Sequence, residues 1–337
     1  MRQLEYQVSW IPLQSLEIKV FPMKTSLGPY REMASIIARF ANTDGELETA
    51  IDGFFIGRRS SPSQALNTTQ WPCFALVVQG AKRLTLGTEV FEYGVGDCLV
   101  VSLDLPVASL ITQASMEVPH LGVAMAINGE RLKHLIGRIG MPAGAGAADA
   151  IRGIAVNPAA PELLDATLRM LKLLDRPGDI PAMAPLIEEE ILYRLLTSPY
   201  GPRLLRIAQA ESPGNRIFKA TAWLRQNFAS PLRVEDLARH VGMSVSSLHH
   251  HFSAVTAMTP MQYQKKLRLY EARRLMLVER LDVGSTGYRV GYQSPSQFSR
   301  EYSRLFGRSP LRDVESMRES FVVDLSRRDV DSIAPQP

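Results

Sequence analysis

Leu237-Ala238-Arg239-His240-Val241-Gly242-Met243-Ser244-Val245-Ser246-Ser247-Leu248-His249-His250-His251-Phe252 and Thr286-Gly287-Tyr288-Arg289-Val290-Gly291-Tyr292-Gln293-Ser294-Pro295-Ser296-Gln297-Phe298-Ser299-Arg300-Glu301-Tyr302 state one pattern twice. Each reads as a short helix, a glycine turn and a second helix. Ala238 corresponds to Gly287, Val241 to Val290 and Gly242 to Gly291. The second turn holds one extra residue. Beyond it the offset is a constant 50, which pairs Ser244 with Ser294, Leu248 with Phe298, Phe252 with Tyr302 and Pro260 with Pro310.

Every position has a physical reason. A small residue at 238 or 287 lets two helices cross closely. Gly242 and Gly291 can adopt the left-handed conformation that stops a helix. Ser244 and Ser294 suit the N-cap. Pro295 fits a first helical position, and Gln297 is placed to complete a capping box with Ser294. Leu248/Phe252 and Phe298/Tyr302 are i, i+4 pairs that face inward. Helical geometry then turns Ser246, His249 and His250 outward in the first unit, and Ser296, Ser299 and Arg300 in the second.

Such side chains near a helix N-terminus reach base edges in the major groove of double-stranded DNA. Arg300 is the leading candidate, because a guanidinium bonds both O6 and N7 of guanine. Arg289, Arg304 and Arg308 are candidate phosphate contacts. Between the units, Pro260–Glu279 reads as one helix carrying Lys265, Lys266, Arg268, Arg273 and Arg274. A helix of about 20 residues spans about 30 Å. Successive major grooves lie about 34 Å apart, so one chain can address two turns of a duplex.

Charge follows the same division. Residues 213–320 hold 17 Lys and Arg against 9 Asp and Glu, an excess of +8, so the remainder carries −4 of the overall +4. A basic segment joined to a mildly acidic one is the footprint of a nucleic-acid module attached to something else. The 337 residues allow two or three domains. No run of 18 apolar residues predicts a membrane span, and Met1–Tyr6 does not open a signal peptide. Two cysteines, Cys73 and Cys98, suit a reducing cytoplasm and build no disulfide framework.

Upstream, a helix is predicted around Tyr30–Phe40 from Met33, Ile36, Ile37 and Phe40. Short β-rich runs follow at Phe54–Ile56, Phe74–Val78, Arg83–Leu86, Glu89–Tyr93, Cys98–Ser102, Val107–Ile111 and Leu121–Ile127. Gly87-Thr88 marks a two-residue hairpin turn, and Gly94–Asp97 another turn. Evenly spaced strands of this kind predict a β-sandwich or small barrel. Residues 130–158 read as a loosened connection. Two amphipathic helices follow, one with Leu164, Leu168, Leu171 and Leu174 along a stripe, the other over Pro185–Leu196. They pack on the β-rich part or pair with a second chain. The expected organisation is α+β: a β-rich regulatory domain over 1–158, a helical connector over 159–212, tandem helix-turn-helix units over 213–320 and a flexible tail over 321–337.

Residues 213–320 resemble the DNA-binding domain of the AraC/XylS family of bacterial transcription regulators. The resemblance rests on Leu237-Ala238 with Gly242-Met243-Ser244, Thr259-Pro260-Met261-Gln262-Tyr263, Val290-Gly291-Tyr292, Ser294 through Arg300, and Phe306-Gly307-Arg308-Ser309-Pro310. Trp71 through Lys82, with Ser102-Leu103-Asp104-Leu105-Pro106, is similar to the N-terminal domain of one AraC-type subgroup. The resemblance implies a cupin-like regulatory domain, a small-molecule effector, promoter DNA and RNA polymerase as partners, and activation rather than repression. Gly284, Gly287, Asp313 and Val314 depart from the family pattern.

Other chemistries find little footing. Consecutive helical residues point about 100° apart, so His249, His250 and His251 cannot converge on a metal. Cys73 and Cys98 are either candidate thiol sensors or small buried hydrophobes. His120 and His134 are isolated, without the His-x-His of a metal cupin. No phosphate loop or nucleophile elbow is present, so neither a cofactor nor an enzyme is expected. The competing reading is a ligand-binding β-domain whose C-terminal module no longer binds DNA.

Overall fold

The computed structural model describes residues 28–140, 152–209 and 215–318. The chain opens with α1 (Gly28–Phe40) and nine strands: β1 (Gly45–Glu48), β2 (Phe54–Arg59), β3 (Leu66–Gln70), β4 (Cys73–Gln79), β5 (Ala81–Leu86), β6 (Glu89–Gly94), β7 (Asp97–Val101), β8 (Leu105–Gln113) and β9 (His120–Ala126). Then come α2 (Gly129–Ile139), β10 (Ile154–Pro158), α3 (Pro161–Lys172), α4 (Ile180–Leu196) and α5 (Gly201–Ala208). The C-terminal part holds α6 (Arg216–Gln226), α7 (Val234–His240), α8 (Val245–Thr256), α9 (Pro260–Val278), α10 (Val283–Arg289) and α11 (Pro295–Phe306). A last helical stretch covers residues 310–318. The expected tail over 321–337 lies outside the described residues.

The strands form two antiparallel sheets, β1-β2-β9-β4-β7-β10 and β3-β8-β5-β6. Among the described residues no pairing closes them into a barrel, so the β-rich part is a sandwich. The larger sheet is buried on both faces, which explains the nearly continuous apolar run Cys73–Val78. Alternation sends Phe74, Leu76, Val78, Cys98 and Val100 toward α1, α3, α4 and α5. Cys73, Val77, Leu99 and Val101 point instead toward Leu84, Leu86 and Tyr93 of the smaller sheet. Gly87 takes φ 61° in the predicted two-residue turn, where Leu86 pairs with Glu89.

Two expectations change. Residues 130–158 are not a loose connection throughout. Asn128 accepts hydrogen bonds from the amides of Glu130 and Arg131 and so starts α2. β10 pairs with β7, Ile154 opposite Val101. The helices of 159–212 do not stand apart as a connector, because Leu164, Leu168, Leu171 and Leu174 are buried in the core that α1 and the larger sheet build. α4 ends at Leu196, and Pro202 sits in the first turn of α5, where its missing N–H costs nothing.

Packing divides the C-terminal units unequally. Leu237, Leu248, Phe252 and Tyr263 belong to the same apolar core as Leu84, Leu103, Leu105 and Val107 of the sandwich. Val290, Phe298, Tyr302 and Val314 form a separate core with the second half of α9.

Candidate nucleic-acid interface

Both recognition helices begin as the sequence predicts. The Ser244 hydroxyl accepts from the amide of Ser247 at 3.2 Å, and the Ser294 hydroxyl from that of Gln297 at 3.4 Å. Gly242 and Gly291 have φ 68° and 93°. The capping box expected at Ser294 does not form: the Gln297 side-chain amide donates to Glu301 instead, at 3.4 Å. A complete box occurs one helix earlier, between Thr259 and Gln262 at the start of α9. α10 is better held than its glycines suggest, because Asp282 caps it through the amide of Ser285 at 2.9 Å. A Cβ on Gly287 would lie 3.2 Å from the Phe298 ring, so glycine there permits the close crossing of α10 and α11.

Burying Leu248, Phe252, Phe298 and Tyr302 leaves Ser246, His250, Ser296 and Arg300 exposed, with His249 and Ser299 half-buried. Among the described residues Arg300 and Arg304 have no ion-pair partner. Arg289 pairs with Glu279 at 3.5 Å, and Arg308 donates to the Ser316 hydroxyl at 2.7 Å. Both remain exposed. His250 and His251 meet edge to face with ring centroids 5.1 Å apart.

Two arginines of α9 hold the structure together instead of facing outward. Arg268 donates to the carbonyls of Phe228 at 2.6 Å, Ser230 at 2.8 Å and Gly291 at 3.1 Å, tying the end of α6 to the second turn. Arg273 makes a two-pronged pair with buried Asp313, each bond 2.9 Å, and the Tyr302 hydroxyl donates to the same carboxylate at 2.7 Å. Asp313, a departure from the family pattern, is therefore the anchor of the second unit.

The sandwich grips the first unit. Arg152 donates to the carbonyls of Ser253 at 2.7 Å and Ala254 at 2.6 Å, and the amide of Gly153 to that of Val255 at 2.9 Å. These are carbonyls of the last turn of α8; that of Ser253 also accepts from the Ala257 amide at 3.0 Å, while those of Ala254 and Val255 lie where a helix end leaves carbonyls without intrahelical donors. Arg152 also pairs with Glu89 of β6. The Tyr263 and Tyr270 hydroxyls donate to the carbonyls of Asp104 at 2.6 Å and Val107 at 3.2 Å.

The two cysteines lie on opposite faces of the larger sheet. Cys73 pairs in register with Val101, and Cys98 with Leu76. Both are fully buried, and burial pushes each thiol up to about 12. Burial therefore disfavours the thiolate, which is the reactive form. Tyr200 donates to the Cys98 carbonyl at 2.7 Å and lies 3.1 Å from its sulfur. This geometry gives the thiol-sensor reading no support.

Between the sheets lies a cavity of about 100 Å³ whose lining includes Phe55, Gln70, Val77, Lys82, Leu99 and His120. His120 was legible only as an isolated histidine, and Lys82 was not singled out. A signal existed: Lys82 falls in phase with Leu84 and Leu86, so a cation occupies an inward position of an alternating strand. Among the described residues no group of three His, Cys, Asp or Glu is arranged to hold a metal, and no helix is long and apolar enough to cross a membrane.

Comparison with known proteins adds to this geometry. Residues 50–203 match the family described as the AraC-type transcriptional regulator N-terminus, and residues 237–314 match a helix-turn-helix domain. The HTH-type transcriptional activator RhaS of Escherichia coli is 30% identical over 145 residues, which are 43% of this chain and 50% of RhaS. RhaS of Shigella boydii matches to the same extent. The chain thus spans about half the length of the curated relatives it matches. Among solved structures, an apo ToxT variant from Vibrio cholerae aligns with a TM-score of 0.53 at 11% identity, over 79% of this chain and 98% of that one. Wild-type ToxT bound to an unsaturated fatty acid aligns at 0.52 and 9% identity, over 80% and 97%. These likenesses show a shared fold.

Proposed function

The chain belongs to the AraC/XylS family of transcription regulators, and on that premise we propose that it binds promoter DNA sequence-specifically and activates transcription in response to a small-molecule effector. One observation carries the reading. Two capped recognition helices, each with polar or basic residues exposed near its start, are joined by a single 19-residue helix. At 1.5 Å per residue that helix is about 28 Å long, close to one turn of DNA. Arg300 reads a base in the second unit, and Ser246, His249 and His250 contribute weaker readout in the first. Ser296 and Ser299 flank Arg300, and Arg289, Arg304 and Arg308 anchor phosphates. The intact caps and turns speak against a degenerate module.

The cytoplasm as compartment and RNA polymerase as partner belong to the same reading. So does a homodimer; the Leu164–Leu174 stripe, expected to pack on the β-rich part or to pair with a second chain, is buried within this chain. Met183, Leu186 and Tyr193 stay exposed on α4, so sedimentation of the full chain, with and without Leu186→Glu, tests assembly there.

The central test is retention of genomic fragments by the full chain across a salt series. If no fragment is retained at low salt, with or without candidate effectors, the regulator reading is wrong. Arg300→Ala should lose about 1–3 kcal/mol of discrimination at one base position. Equal loss on every sequence would make Arg300 a phosphate contact.

A further inference from the structure

The cavity between the sheets has chemistry of its own. His120 is 7% exposed, and its Nε2 is buried without a hydrogen-bond partner among the described residues. Lys82 lines the same space, and among the described residues it has no ion pair. Burial, and after it the Lys82 and Arg59 cations, holds the His120 imidazole down to about 4. The imidazole is therefore neutral at physiological pH and can carry its proton on Nε2. Glu46 is the one carboxylate in the lining, and it is exposed to solvent. Cys73 and Tyr93 stay protonated, pushed upward by burial. Phe55, Val77 and Leu99 supply apolar surface.

Among the described residues the His120 ring nitrogen is buried without a hydrogen bond, and the half-buried Lys82 amine, whose charged form burial disfavours and Glu46 partly restores, has no salt bridge, so both lack the partners such groups need. A negatively charged oxygen supplies both at once. Size narrows the class further. An engineered apolar cavity of about 150 Å³ accommodates benzene, so a space of about 100 Å³ takes roughly six heavy atoms or fewer. We propose that this cavity is the effector site and receives a short monocarboxylate, its carboxylate bonded by Lys82 and His120 and its alkyl end against Phe55, Val77 and Leu99. This rests on the reading of the chain as an effector-responsive regulator.

The test is calorimetric titration of the full chain with propionate, butyrate, butyramide and oleate, on wild type, Lys82→Met and Lys82→Arg. Butyrate is expected to bind, butyramide at least tenfold more weakly. Lys82→Met should lose at least tenfold in butyrate affinity, and Lys82→Arg should recover part of it. Equal affinity for the acid and its amide overturns the proposal. So does an unchanged Lys82→Met, oleate binding more tightly than butyrate, or no binding of either short acid. A butyraldehyde adduct trapped on Lys82 by borohydride, without butyrate binding, would make the site a carbonyl trap and overturn it too. Should Lys82→Met not fold, the acid–amide comparison and Lys82→Arg still decide. Retention of genomic DNA is measured separately. A chain that retains DNA but binds no short acid loses only the ligand class. One that binds butyrate but no DNA loses the regulator reading.

Discussion

The two helix-turn-helix units share a pattern but differ in what holds them. The first has no core of its own. Leu248 and Phe252 pack into the apolar layer that the sandwich also builds, and Arg152 and Gly153 close the last turn of α8 from outside the unit. The second unit has a core of its own. Phe298, Tyr302 and Val314 form a separate core pinned by the Arg273–Asp313–Tyr302 cluster. α11 ends on Gly307 at φ 75°, where nothing lies within 4 Å of a would-be Cβ. A change in the sandwich thus reaches the first recognition helix directly and the second chiefly along α9. The sandwich holds the unit with the Ser/His face, whereas the unit with Arg300 is joined to the rest through α9 and the Phe228–Ser230 segment.

The largest effect that could break this contrast is at Asp313. Asp313→Ala strands the Arg273 charge, which is 13% exposed. Removing one partner of a buried pair costs about 3–5 kcal/mol. Hydrogen exchange should rise in α10 and α11 and stay unchanged in α8. Equal loosening of both units would show that they fold as one.

Acid should act on the other half. His120 is held down to about 4 against an ordinary 6.5. Between those values the unfolded chain binds the extra proton and the folded chain does not. Stability from this group is therefore whole above about pH 6.5 and is lost as pH falls through 4, for a total of about 3 kcal/mol. His120→Gln should flatten that part of the profile. The loss should appear in exchange from the sandwich and α8 before α11. Simultaneous loss in α11 would contradict separate cores.

The turn glycines sharpen the comparison next. A Cβ on Gly291 would lie 2.0 Å from the Ala229 carbonyl oxygen, while one on Gly242 meets nothing within 4 Å. Both take positive φ, so both substitutions strain the backbone. Gly242→Ala should cost about 1 kcal/mol and Gly291→Ala roughly 2–3 kcal/mol, because the latter also displaces backbone. Urea midpoints of the two variants measure the difference, and equal shifts would refute it. The smallest effect is at Arg152. Arg152→Ala removes a cation from the C-terminus of α8 and should cost about 1–2 kcal/mol. Faster exchange confined to the end of α8 is expected, and an unchanged α8 would mean the contact carries no tension.

Much of this was legible from local patterns. Ser244, Gly242, Ser294 and Gly291 announce their caps and turns, because the hydrogen bonds concerned span only three or four residues. The continuous apolar run Phe74–Val78 and the alternation in Arg83–Leu86 announce strands for the same reason. β1 and β3 were missed: both are short and mostly polar, and they exist because β2 and β8 offer them partners. The Ser294 capping box failed because Glu301, one turn on, competed for the Gln297 side chain.

By itself, then, the sequence determined what neighbours in the chain decide: two capped recognition helices, the faces they expose, a rigid helix between them and a β-rich partner. Tertiary structure alone decided which core each unit joins, that Asp313 meets Arg273 forty residues away, and that Lys82 and His120 line one cavity. The physical reason is range. Caps, turns and periodicity are short-range and leave a mark at fixed spacing, whereas burial and charge pairing across elements depend on how sheets and helices stack, which no local spacing records.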